Sequence, residues 1–101
     1  MPVTFEQLED TLTAKLSGEI DHHTAAGLRE QIDYEADRLR PPLLLLDFGG
    51  VGFMDSSGIG LIMGRYRNAA YYGGQVRVIH APPVIERMIR LAGISRLHIL
   101  D

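Results

Sequence analysis

The run Leu43 to Phe48 is almost wholly apolar and shows little alternation, between Pro41-Pro42 on one side and Gly49-Gly50-Val51-Gly52 on the other. A short stretch of this kind reads as a central strand covered on both faces of its sheet. The glycines after it read as a flexible connection. Such a strand restricts the fold to arrangements in which helices cover a sheet, so the flanking segments decide which one.

Upstream, Ala25, Leu28, Ile32, Ala36 and Leu39 recur at helical spacing, with Arg29, Glu30, Asp33 and Asp37 on the other side. A helix over 24–39 is expected, capped by Asp21 or Thr24 and stopped by Pro41-Pro42. Downstream, a second helix starts near Ser56 or Ser57 and ends at Gly73-Gly74. Its stripe of Ile59, Ile62, Met63, Tyr66 and Ala70 suits the sheet, which places Leu61 roughly opposite, in the open. Gln75 to His80 reads as a strand, Pro82 or Pro83 opens a third helix that Gly93 ends, and Leu97 to Leu100 reads as a last strand. Val3 and Phe5 begin a first strand. Leu12, Ala14 and Leu16 alternate with Thr11, Thr13 and Lys15 in a second, joined to the first by a tight turn at Glu9-Asp10.

The order is therefore β-β-α-β-α-β-α-β. It implies an α/β fold, a mixed, mostly parallel sheet with one antiparallel edge strand and packed helices, in a single domain over residues 1–101. No cysteine is present, which excludes disulfides and thiolate zinc sites and suits a reducing cytoplasm. No apolar run approaches the ~20 residues that span a bilayer, and no membrane association is expected. Residues 1–55 hold eleven acids and four bases, whereas 56–101 hold two acids and six bases. That split gives a dipolar surface suited to a charged protein partner. Arg65, Arg67, Arg77, Arg87, Arg90 and Arg96 are too dispersed for a nucleic-acid surface and read as solvated.

The segment "FMDSSGIG" at 53–60 lies where a strand turns into a helix, on the productive side of an open α/β sheet. A serine there can cap the helix, which accounts for one of Ser56 and Ser57 but not both. Either can instead accept a phosphate. The dianion would be tolerated by free N–H groups at the helix start and opposed by Asp55, so that it changes the surface potential without unfolding the domain. Leu61, one turn on, reads as a partner contact, and Gly60 and Gly64 allow either close approach of a partner backbone or close packing within the domain. His22-His23 lack a fixed third ligand, so the pair reads as shaping its loop or touching a partner; His98 reads as a strand-face residue. Neither serine has the leading glycine of a G-x-S-x-G elbow, and Gly49-Gly50-Val51-Gly52 matches no nucleotide-binding spacing. No metal, cofactor or catalytic residue is assigned, and an enzyme is not expected.

"GEIDHHTA" at 18–25, "FMDSSGIG" at 53–60, "LIMGRYRNA" at 61–69 and, more weakly, "RMIRLAGISRL" at 87–97 resemble, in the same order, the STAS-domain anti-sigma factor antagonists, especially the sporulation-type anti-anti-sigma factors. The resemblance implies a cytoplasmic protein that binds an anti-sigma factor serine kinase and so frees a sigma factor for transcription. It implies phosphorylation of the serine after the motif aspartate, Ser56, to block binding, and a metal-dependent serine phosphatase to reset the cycle. Asp21 matches the family aspartate that engages the partner. Taken with the residue-level readings above, this gives a candidate partner surface of Asp21, His22, Asp55, Ser56, Ser57, Gly58 and Leu61. The family often carries a further helix after its last strand, which these residues do not reach. A STAS-type interaction module of a stress-signalling or transporter-associated complex, without serine phosphorylation, is the alternative.

Overall fold

The computed structural model of the protein describes residues 2–100. Strands β1 (Val3–Leu8), β2 (Thr11–Ile20), β3 (Leu43–Met54) and β4 (Gln75–Ile79) form one sheet in that spatial order. β1 and β2 are antiparallel across the turn at Glu9-Asp10, and Glu9 takes a left-handed conformation there, with φ 55°. β2–β3 and β3–β4 are parallel, joined through helices α1 (Ala25–Leu39) and α2 (Ser56–Ala70). Helix α3 (Pro83–Leu91) follows β4. The mixed, mostly parallel sheet with an antiparallel edge is the expected fold class.

One face of the sheet carries the core. Leu12, Ala14 and Leu16 of β2, Leu44, Leu46 and Phe48 of β3, and Val76 and Val78 of β4 are buried against Leu28 and Ile32 of α1, Leu61 and Ile62 of α2, and Ile85 and Ile89 of α3. On the other face Thr13, Leu45, Asp47 and Arg77 are half-buried and Lys15 is exposed. β3 is thus covered on one side only, not on both. Its lack of alternation comes from Leu43 and Leu45, which sit half-open beside the threonines of β2.

Two further expectations are corrected. Gly49 to Gly52 do not form a connection: β3 runs on to Met54, and Gly50 and Val51 pair with Ser17 and Gly18. The pairing is irregular there, β3 carrying one extra residue opposite Lys15 to Ser17 and another opposite Gly18 to Glu19. Gly18 has φ 84°, a conformation that only glycine adopts without strain. The strands consequently bend as they approach the helix starts. Leu97 to Leu100 do not form a strand. Ile94–Leu97 is a 3₁₀ turn, and His98, with φ 59°, is an exposed turn residue, not one on a strand face. Among the described residues a single parallel bridge, Val78 to Leu100, remains beside β4, although Ile99 is fully buried.

Candidate functional site

The carboxyl ends of the parallel strands β2 and β3 deliver two loops to one place. β2 ends at Ile20 and β3 at Met54, and the two residues are paired. The Asp55 N–H donates to the Ile20 carbonyl at 3.0 Å, continuing the pairing one step beyond the strands. The stretch starting at Asp21 and the start of α2 are therefore neighbours by backbone geometry.

Asp21 organises the first loop. Its Oδ1 accepts from the N–H groups of His23 at 2.9 Å and Thr24 at 3.1 Å, and Thr24 Oγ1 accepts from the Asp21 N–H at 3.0 Å. This reciprocal pattern holds the turn leading into α1; the N-cap position itself is Thr24, whose side chain caps no helical N–H, so neither expected residue caps the helix through its side chain. Desolvation pushes the Asp21 carboxyl upward, but the Thr24 and His23 N–H groups outweigh it, and the carboxyl lies below its ordinary value. His22 and His23 are exposed, with ring centroids 3.9 Å apart. Among the described residues no group of three or more metal-ligating side chains comes together.

At the second loop the structure corrects the capping assignment. The N-cap of α2 is Asp55, in an extended conformation, and its Oδ1 accepts from the Ser57 N–H at 2.8 Å. Neither serine caps the helix. Ser56, in the first helical position, is exposed; Ser57 is half-buried. Gly58 is buried beneath the turn, where a Cβ would collide with Sδ and Cγ of Met54. The glycine of the motif therefore lets α2 start against the end of β3.

Leu61 is not a surface contact. It is 4% exposed and belongs to the core. The inward stripe of α2 is Gly58, Leu61, Ile62, Arg65 and Ala69, while Ile59, Met63 and Tyr66 are half-buried and Ala70 is exposed. Arg65 is likewise not solvated: 6% exposed, it places Nε 2.8 Å from Asp33 Oδ1 of α1. Asn68 extends the link, its Nδ2 donating to Asp37 Oδ1 at 3.1 Å. Burial lowers the Arg65 pKa and raises that of Asp33, each against the pull of the other. Gly60 and Gly64 do not serve close packing, since a Cβ on either would meet no atom within 4 Å.

Sequence reasoning missed Phe53, which is 52% exposed although it lies in β3. It pairs with Glu19 and stands two residues before Asp55, so an aromatic ring borders the two loops. The signal was in the motif itself: a large apolar residue between Gly52 and Met54, where the bulges break the alternation of the strand. The arrangement offers a free hydroxyl at a helix start, an acidic turn and an exposed aromatic. It suits recognition by a protein surface, with aromatic anchors at such surfaces carrying much of the binding energy.

Comparison with known proteins agrees. The family model described as STAS domain matches residues 2–100. The chain is 33% identical over 97 residues to an anti-sigma F factor antagonist of Paenibacillus polymyxa, covering 96% of this chain and 83% of that protein. It is 30% identical over 95 residues to the anti-sigma-B factor antagonist of Bacillus subtilis, covering 94% and 83%. Among solved structures, the anti-sigma factor antagonist SpoIIAA in its unphosphorylated form superimposes with a TM-score of 0.84 at 25% identity, covering 98% of this chain and 85% of that one.

Proposed function

The chain belongs to the STAS domain family, and from that membership we propose that it is an anti-sigma factor antagonist switched off by phosphorylation of Ser56. In this reading it acts in the cytoplasm. It binds an anti-sigma factor that is also a serine kinase, through Asp21, His22 and the Asp55-Ser56-Ser57 turn that the buried Gly58 shapes, and thereby frees a sigma factor. A serine phosphatase restores the active form.

One observation carries the proposal: Asp55, not a serine, caps α2, which leaves Ser56 exposed at the first helical position with its hydroxyl free. The names of the relatives support the partner class, since two are antagonists of anti-sigma factors. A structure of SpoIIAA in the phosphorylated form also superimposes on this chain, with a TM-score of 0.76 at 25% identity, covering 98% of this chain and 88% of that one.

The switch follows from charge. Phosphorylation adds roughly −1.5 to −2 charges and strong acceptor oxygens. A helix start accommodates such a group through its dipole, although here Asp55 already holds the Ser57 and Gly58 N–H groups. The Asp55 side chain, one residue back, repels it, and that repulsion turns the phosphate toward solvent and hence toward the partner. A partner surface packed against a neutral hydroxyl then faces a dianion it has to desolvate. The fold survives and the complex does not.

The test is incubation with a purified anti-sigma factor kinase and ATP, followed by mass spectrometry. One phosphate on Ser56 is expected, and Ser56→Ala should abolish it. Labelling confined to Ser57 refutes the site assignment.

A further inference from the structure

On the side of α2 that carries Gly60 and Gly64, a cleft of about 360 Å³ opens between α1 and α2. Its walls include Ala25, Ala26, Ser57, Gly60 and Gly64, all small, and three arginines: Arg29, Arg65 and Arg67. No carboxylate lines it. The two glycines keep the cleft open, because a side chain on either would project into empty space.

Two of the arginines have no ion-pair partner. Arg29 and Arg67 are exposed and make no ion pair among the described residues. The third, Arg65, is nine-tenths buried and half-used. Its Nε lies 2.8 Å from Asp33 Oδ1 as an ion pair without hydrogen-bond geometry, so Nε and Nη1, both buried, have no hydrogen-bond partner among the described residues. Burial lowers the Arg65 pKa most; Asp33 and Asp37 raise it and Arg29 and Arg67 lower it, so the three cations share one field in which two carboxylates also act. A buried guanidinium with an unmet N–H, in a field of two free charges, is an arrangement that an oxyanion completes. On a chain of net charge −3, this concentration of positive charge is local and not a general property of the surface.

We propose that the α1–α2 cleft is a binding site for a phosphate group carried on a small ester. Arg29 and Arg67, free of ion pairs, supply positive charge for a phosphate, and the bidentate geometry of guanidinium suits its oxygens. Asp33 pairs with Arg65 Nε, and Asp37 also acts on Arg65. The volume favours an ester over the bare ion, since small-molecule sites begin at about 300 Å³. The cleft borders the Ser56 turn through Ser57 but draws its charge from the arginines of α1 and α2, so the proposal does not require Ser56 to be phosphorylated.

The experiment is a titration of the ¹⁵N-labelled full chain with inorganic phosphate and, separately, with O-phosphoserine, against sodium chloride at equal ionic strength. Saturable shifts confined to the amides of Ala25, Ala26, Ser57, Gly60 and Gly64 and the Arg65 side chain are expected, with the ester saturating at lower concentration. Arg67→Ala should weaken binding about tenfold by removing a charge-assisted contact. Gly60→Leu should abolish it by filling the cleft, with the thermal midpoint no lower than that of the starting protein. Equal saturation by the bare ion and the ester would refute the ester while keeping the oxyanion site. Linear shifts that chloride reproduces, or saturable binding that neither variant alters, would overturn the site altogether.

Discussion

Replacing Asp55 by alanine tests the local chemistry on which the switch depends. Its carboxylate accepts one hydrogen bond, from the Ser57 N–H at 2.8 Å, and places a negative charge at the positive end of a 15-residue helix. Loss of a capping side chain costs about 1 kcal/mol, and loss of a charge favourable to the helix dipole adds about 0.3–1 kcal/mol. The sum, about 1–2 kcal/mol, corresponds to a fall in the thermal midpoint of roughly 5–15 °C for a domain of this size. Asp55→Asn keeps the accepting oxygen and loses only the charge, so it should recover more than half of the loss. Ser56→Ala and Ser57→Ala remove hydroxyls that cap nothing, and each should stay within about 0.5 kcal/mol of the starting protein. The assay is thermal and urea unfolding of the four variants by circular dichroism at neutral pH. If Asp55→Ala is neutral while either serine variant loses 1–2 kcal/mol or thereabouts, the serine is the cap, and the reasoning that frees the Ser56 hydroxyl is refuted.

Three further outcomes are expected. Leu61→Ala should lower stability by about 2–5 kcal/mol, as a core truncation does, and weaken partner binding only through the unfolded fraction; binding loss at full folding would make Leu61 a contact after all. Gly58→Ala should cost about 1–2 kcal/mol, because overpacking against Met54 costs about 1–3 kcal/mol and exceeds the gain in helix propensity; Met54→Ala in the same chain should relieve the collision, as urea midpoints would show. Asp21, whose folded pKa lies below its ordinary 3.8, contributes stability that is present above that value and lost as pH falls through the lower folded value. Thermal midpoints measured from neutral pH down to strong acid should therefore drop more steeply at the acid end for the native chain than for Asp21→Asn, and parallel curves would remove Asp21 from the acid response.

The first four strands and the helices were legible because their patterns are local. α1 shows one clean stripe, α3 starts at a proline and ends before a glycine, and the turn at Glu9-Asp10 ties two alternating runs. α2 was misread for a physical reason. Ile59, Leu61, Ile62, Met63 and Tyr66 surround the helix, so apolar periodicity does not choose a face, and the residue that marks the inward face is a cation. Arg65 can lie inside only because Asp33 of α1 meets it, a pairing 32 positions apart that no local pattern announces. The extension of β3 through Gly49 to Gly52 was hidden similarly, because glycine runs signal looseness unless a neighbouring strand supplies the hydrogen bonds, as Ser17 to Ile20 do. At the site, Asp55, Ser56 and Ser57 all have side chains fit to cap, and only the extended backbone at Asp55 decides among them.

The most direct measurement compares the affinity of the protein, unmodified and stoichiometrically phosphorylated on Ser56, for an anti-sigma factor kinase, by titration calorimetry. A loss of at least about a hundredfold on phosphorylation, on the order of 3 kcal/mol, is expected for a dianion held against a desolvated contact. Equal affinity of the two forms, both fully folded, would contradict the switch.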